Sequence, residues 1–159
     1  MPRVSIILST YNRAHLISKA IASVLEQNFT DWELLVVDDA STDNTGEVVY
    51  QWQKRDARIK YLSGDENLGI ARNSNRGLRA AQGTYIAILD DDDYWLDREK
   101  LRKQIDFLDS HLAYVGVGGG VVLVNGRGEE IFRYLKPETD AAIRQRMLFD
   151  NPMANSTTL

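Results

Sequence analysis

The chain has 159 residues, 43% of them hydrophobic and 26% charged, with no cysteine and a formal net charge of -4 at pH 7. That balance suits one globular domain, 1–159, around a single core. The missing thiols exclude cysteine nucleophiles, disulfides and thiolate zinc centres, and an acidic chain with no basic patch is expected to bind no nucleic acid.

The first element in chain order is a buried strand, Val4-Ser5-Ile6-Ile7-Leu8, running into the polar turn Ser9-Thr10-Tyr11-Asn12-Arg13. The strand is too short for a signal segment or a membrane span, so no transmembrane segment is expected and the cytoplasm is the favoured compartment. Leu16, Ile17, Ala20, Ile21, Val24 and Leu25 recur at helical spacing and predict an amphipathic helix. A second strand, Trp32 to Val37, ends in Asp38-Asp39-Ala40-Ser41-Thr42-Asp43, a turn able to cap a helix that carries Val48, Val49 and Trp52. A third strand, Ile59 to Leu62, leads through the loop Gly64 to Gly69 into a helix from about Ile70 to Ala81, with Gly83 suited to the left-handed position past its end. A fourth strand, Tyr85 to Leu89, delivers the chain into Asp90-Asp91-Asp92-Asp93. Beyond it, Leu101, Ile105 and Leu108 mark a helix, Val115 to Val124 reads as a glycine-interrupted strand, and Asn125-Gly126 as a hairpin turn. A last helix, about Asp140 to Phe149, precedes a polar run, Asn151 to Leu159, for which no terminating structure is expected.

Strands alternating with helices imply a mostly parallel sheet with helices on both faces, an α/β three-layer fold. Ligands of such sheets gather at the carboxyl ends of the strands, where the polar clusters after Leu8, Val37 and Leu89 all fall. Four adjacent carboxylates repel one another, and a divalent cation is the natural compensation, since magnesium and manganese take hard oxygen ligands and leave positions open for phosphates. A solvated acidic turn fits the same residues, because aspartate favours turns and helix starts. Asp38-Asp39 alone reads equally as turn residues. A phosphoreceiver would need its acid pair after the first strand, where this chain has Ser9-Thr10. Arg72, in the first turn of its helix, could reach a phosphate or pair with Asp65 or Glu66. Tyr11 could stack on a base or pack on the neighbouring helix. His15 and His111 suit surface or capping roles, and Gly118-Gly119-Gly120 suits a close approach or bulge rather than a phosphate loop.

The order of these pieces carries more than any one of them. Ser9-Thr10-Tyr11-Asn12-Arg13, Ser23-Val24-Leu25-Glu26-Gln27 with Phe29, Glu33 to Asp43, Asn67-Leu68-Gly69, Ala71-Arg72-Asn73, Gly83-Thr84-Tyr85-Ile86 and Leu89 to Asp93 together resemble the N-terminal region of family 2 glycosyltransferases, over about Val4 to Leu108. The resemblance implies a GT-A (Rossmann-like) fold that binds a nucleoside diphosphate sugar, a UDP-sugar by family analogy, with Mn²⁺ or Mg²⁺. It implies that Ser9, Thr10 and Tyr11 line the base pocket, that Asp39 accepts a hydrogen bond from the base, and that Arg72 supports the nucleotide. Asp90 to Asp92 matches the Asp-x-Asp motif, with Asp91 at the ribose, Asp92 the foremost metal ligand beside Asp90, and Asp93 in support.

The activity so implied is inverting, metal-dependent transfer of the sugar to a hydroxyl of a glycan or lipid-linked acceptor, as in polysaccharide biosynthesis, in the cytoplasm or peripheral to the membrane. Family members carry their catalytic base, an aspartate of an acidic pair, beyond a segment like Asn151-Pro152 to Thr158. None of Glu138, Asp140 or Asp150 sits in a matching motif, so the base is expected outside this chain, which would be truncated on its C-terminal side, binding donor but transferring poorly. A non-catalytic nucleotide-sugar-binding module is the alternative. A sugar nucleotidyltransferase would need a glycine-rich basic loop after the first strand, and Ser9 to Asn12 contains no glycine.

Overall fold

The alternation of strand and helix along the chain becomes an alternation of layers. The computed structural model describes residues 1–159. Strands β1 (Val4–Thr10), β2 (Trp32–Asp38), β3 (Ile59–Ser63) and β4 (Tyr85–Ile88) form one sheet in the order β3-β2-β1-β4, every neighbouring pair parallel. The helices α1 (Ile17–Leu25), α2 (Thr45–Gln53) and α3 (Ile70–Ala80) provide the crossovers that parallel pairing demands, and α4 (Lys100–Ser110) follows the sheet.

Side chains alternate across a strand, so each central strand feeds two cores. Val4, Ile6 and Leu8 of β1 and Leu34 and Val36 of β2 are fully buried in one cluster with residues of α1, α2 and α4. Ile7, Leu35 and Val37 face the other way and are covered by α3 through Ala80 and Ala81. Gly77 allows that close seating, because a Cβ there would lie 2.8 Å from methyls of both Ile7 and Val37. Register places Thr10 opposite Asp38 and Asp38 opposite Ser63, so the carboxyl ends of β1, β2 and β3 share one rim.

Four expectations change. The helix end does not use Gly83 in a left-handed conformation: Ala81 turns the chain directly into extended backbone. Glycine is required at 83 because a Cβ would lie 2.4 Å from the backbone nitrogen of Ser5. The fifth strand is shorter than predicted: β5 (Val121–Val124) pairs antiparallel with β6 (Glu130–Tyr134) around the Asn125 turn, while 115–120 is irregular. Of that stretch only Val117 pairs its backbone, exchanging two hydrogen bonds of 2.9 Å with Leu159. Helix α5 (Asp140–Arg146) stops before Phe149. The polar tail, finally, is ordered, with a 3-10 turn at Asn155–Thr157 packed beside β4. No helix is long and apolar enough to cross a membrane.

Candidate functional site

The rim is built from two laced turns. Asn12, at φ 53°, accepts from the backbone N–H groups of Thr42 (2.8 Å) and Asp43 (3.3 Å), and its own N–H donates to Ser41 Oγ (2.8 Å). The turn after β1 is thereby tied to the turn after β2. Of the two adjacent acids, Asp38 is structural. Its carboxylate accepts from the Ser41 N–H (3.0 Å) and hydroxyl (2.5 Å) and from the Tyr61 hydroxyl, and burial followed by that bond pushes the Tyr61 phenol well above its ordinary pKa. Asp39 is 4% exposed and accepts from the N–H groups of Leu68 and Gly69, each at 2.8 Å. A carboxylate has about four lone-pair directions, so Asp39 keeps acceptor capacity while fixing the Gly64–Gly69 loop.

Two arginines of α3 divide the work. Arg76 is inward, donating to the carbonyls of Asp38 (3.2 Å) and Ser63 (2.5 Å) and to Asn73 Oδ1 (2.9 Å), and Asn73 donates to the Val37 carbonyl (2.7 Å). These bonds tie α3 to the carboxyl ends of β2 and β3. Arg72 is exposed in the first turn and makes neither an ion pair nor a hydrogen bond, so the surface pair with Asp65 or Glu66 does not form. Ser9 bonds Ser74 of the same helix (2.9 Å), and Tyr11 stands 43% exposed rather than packed on a helix. His111 caps α4 and stacks on Phe107, and Gly118 and Gly119 face Met153 and Thr157 at ordinary contact distances.

The acidic turn leaves β4 through Leu89, whose N–H donates to the Ile7 carbonyl (3.0 Å), and closes with the Asp93 N–H on the Asp90 carbonyl (3.1 Å). Asp90 and Asp91 are half-buried, and Asp92 and Asp93 are exposed. Burial raises the pKa of Asp90, the charges of Asp93, Asp92 and Asp91 add to the rise, and the Asn155 side chain opposes it. Burial also raises Asp91, against the lowering influence of the Thr10 hydroxyl, the Arg13 guanidinium and the Tyr11 backbone. Thr10 Oγ1 is itself buried with no partner of good hydrogen-bond geometry, so it meets Asp91 only loosely. The Arg13 Nε lies 3.7 Å from Asp91 Oδ1, the one ion pair of the quartet. Negative charge here is therefore under-compensated. No three carboxylates or imidazoles converge on one point.

The structure thus brings Thr10, Tyr11, Arg13 and Asp91 together and sets Asp90 and Asp92 beside them, with Asp39 at the end of the neighbouring strand. Arg72 stands at the rim by way of α3. Sequence reasoning gave no role to Arg13, to Arg76, or to Asn155 and Ser156, which touch Asp90 from the far end of the chain. For Arg13 the signal was at hand, since it lies in the same turn as Tyr11; for Ser156 no local pattern existed.

Residues 5–158 match Glycosyl transferase family 2. Among relatives, the Escherichia coli UDP-Glc:alpha-D-GlcNAc-diphosphoundecaprenol beta-1,3-glucosyltransferase WfgD is 46% identical over 105 residues, 66% of this chain and 40% of that protein. Among solved structures, S. aureus TarS in complex with UDP-GlcNAc matches at 31% identity and a TM-score of 0.66, over 81% of this chain and 37% of that one. The mannosyltransferase PcManGT of Pyrobaculum calidifontis, in complex with GDP-Man and Mn²⁺, matches at 34% identity and a TM-score of 0.65, over 77% and 35%. The chain spans less than half the length of the curated relatives it matches.

Proposed function

Because this chain belongs to glycosyl transferase family 2, with the parallel α/β sheet of its GT-A neighbours, we propose that it binds a nucleoside diphosphate sugar, UDP-linked in the first instance, across the rim of β1, β2 and β4. In this reading residues 1–159 are the donor-binding part of one domain of an inverting enzyme that passes the sugar to a hydroxyl of a glycan or lipid-linked acceptor. The acidic turn carries the proposal: half-buried Asp90 and Asp91, opposed by a single guanidinium 3.7 Å away, on the rim where parallel sheets bind ligands. WfgD is named for a UDP-linked glucose donor and a diphosphoundecaprenol acceptor, which supports both halves of the assignment.

Tyr11 gives an exposed ring for the base, Ser9 and Thr10 the pocket wall, and Asp39 its spare acceptor capacity, while Arg72 is an unpaired cation for the nucleotide. Asp91 faces the ribose. Asp92 and Asp90 would hold Mn²⁺ or Mg²⁺, which as a Lewis acid stabilises a departing diphosphate. No residue of this chain is assigned as the base: Asp140 and Asp150 are exposed and paired with Arg144 (2.8 Å) and Arg146 (3.3 Å).

Calorimetric titration of UDP, GDP and dTDP, with Mn²⁺ and with chelator, tests the site. The expected result is metal-dependent binding of one nucleotide, weakened about tenfold or more by Asp92→Ala, as for loss of a metal ligand and its charge. Absence of binding in every condition would overturn the reading.

A further inference from the structure

The last nine residues reach back to the acidic turn. Ser156 is 7% exposed, and its Oγ accepts from the Asp90 N–H at 3.0 Å across 66 residues of chain. Its carbonyl accepts from Trp95 Nε1 at 2.6 Å, on the other side of the quartet. One residue therefore grips both ends of the segment Asp90–Trp95. Ser156 is in turn held from behind: Gln104 Nε2 of α4 donates to the Thr157 carbonyl at 2.7 Å, and Leu159 exchanges two backbone bonds with Val117. Asn155, the neighbour of Ser156, reaches the Asp90 carboxylate with its side chain.

The arrangement matters because, beyond the contacts of Asp91 with Arg13, Thr10 and the Tyr11 backbone, the quartet has little else to define its shape. Asp92 and Asp93 are exposed, and the turn's own backbone contributes the Asp93 to Asp90 bond. Four like charges favour any rearrangement that separates them. A fixed anchor at the Asp90 N–H and another through Trp95 oppose that drift and hold the carboxylates where a cation and a diphosphate would meet them.

We propose that Asn155–Leu159 is a latch on the acidic turn and that Ser156 is a positioning residue for Asp90 to Asp92, setting donor and metal affinity without touching either ligand. The proposal rests on the donor-site reading for its consequence but not for the latch itself, and the two separate experimentally. Amide hydrogen exchange is followed residue by residue in the whole chain for wild type, Ser156→Ala, Ser156→Thr and Trp95→Phe, the last of which keeps a ring but removes its N–H. Binding of Mn²⁺ alone and of UDP with Mn²⁺ is titrated in the same samples.

The latch predicts that Ser156→Ala and Trp95→Phe each speed exchange at the hydrogen-bonded amides of Asp90 and Asp93 by about tenfold, as for one lost hydrogen bond, while amides of β1 and β2 are unchanged and Ser156→Thr restores protection. It further predicts weaker UDP binding with Mn²⁺ in both variants and not in Ser156→Thr. Unchanged exchange at Asp90 and Asp93 in Ser156→Ala overturns the latch, whatever the ligand data. Faster exchange with unaltered affinity overturns the positioning role. A wild type that binds no nucleotide while its exchange obeys the prediction sinks the donor-site reading alone and upholds the latch.

Discussion

Residues 4–110 and residues 111–150 obey different rules. In the first stretch every strand and helix contributes fully buried side chains, and Ile6, Leu8, Ile21, Leu34 and Leu101 are wholly inaccessible. In the second not one residue is fully buried, and Leu112, Val115, Leu148 and Phe149 are 86% exposed or more. The hairpin β5–β6 and helix α5 are held by local bonds: Arg133 to Glu130, Arg144 to Asp140, and the Asn125 turn. The chain then returns, and Pro152, Ser156 and Leu159 are buried again. Secondary structure can thus persist where no core exists, but only the sheet supplies the burial that stabilises a fold. The candidate site sits on the part that has the core, and 111–150 is an excursion from it, pinned at its base by Val117 and Leu159.

The widest contrast should come from paired truncations. Leu34→Ala removes a side chain at 0% exposure in the centre of the sheet and is expected to cost about 3 kcal/mol. Phe132→Ala, at 50% exposure on β6, should change stability by less than about 0.5 kcal/mol. Urea unfolding of both variants measures the difference, and a large loss in Phe132→Ala would show that the hairpin shares the core. Glycines sharpen the point. Gly83→Ala drives a Cβ to 2.4 Å from the Ser5 nitrogen and should cost about 2 kcal/mol, as overpacking does, whereas Gly126→Ala meets nothing within 4 Å and should be nearly neutral. Equal thermal midpoints for the two alanine variants would refute the close approach of residue 83 to β1.

The same contrast explains what could be read from the sequence. The four strands and four helices of residues 4–110 were legible because two-residue and 3.6-residue apolar periods write burial directly into local order, and Asp- and Gly-rich turns punctuate them. The rim position of Thr10, Asp39 and Asp90 to Asp92 followed from strand ends alone. Beyond Ser110 the period carries no burial, so a strand through the glycines at 118–120 was expected where none forms. Gly83 was assigned the wrong cause because a left-handed turn and a close approach both call for glycine, and only the position of Ser5 distinguishes them. Arg72 and Arg76 lie one turn apart on α3, and nothing local says that Arg76 turns inward to three carbonyl ends while Arg72 stays free. Ser156 was illegible for a plainer reason: a hydroxyl that meets a backbone N–H 66 residues away leaves no periodic trace.

Lys100 lies at the seam of the two regions and gives the smallest effect, though one with a clear sign. Its amine donates to Gln104 Oε1 (2.8 Å) and sits 4.2 Å from the centre of the Trp95 ring, with no carboxylate partner. Burial pushes its pKa down from 10.5 to about 7. Between those values the unfolded chain holds a proton that the folded chain has released, so stability should fall as pH is lowered from about 10.5 towards 7 and level off below the folded pKa. One such group contributes a slope of at most about 1.4 kcal/mol per pH unit. The Trp95 face and the Gln104 oxygen both favour the charged amine, so the measured slope should be shallower than that ceiling. Lys100→Met should remove the slope and raise stability most at pH 7 and below. A Lys100→Met profile parallel to wild type would mean that the amine stays solvated, and that the seam between α4 and the returning tail is looser than the bonds from Gln104 to Val117 and Thr157 imply.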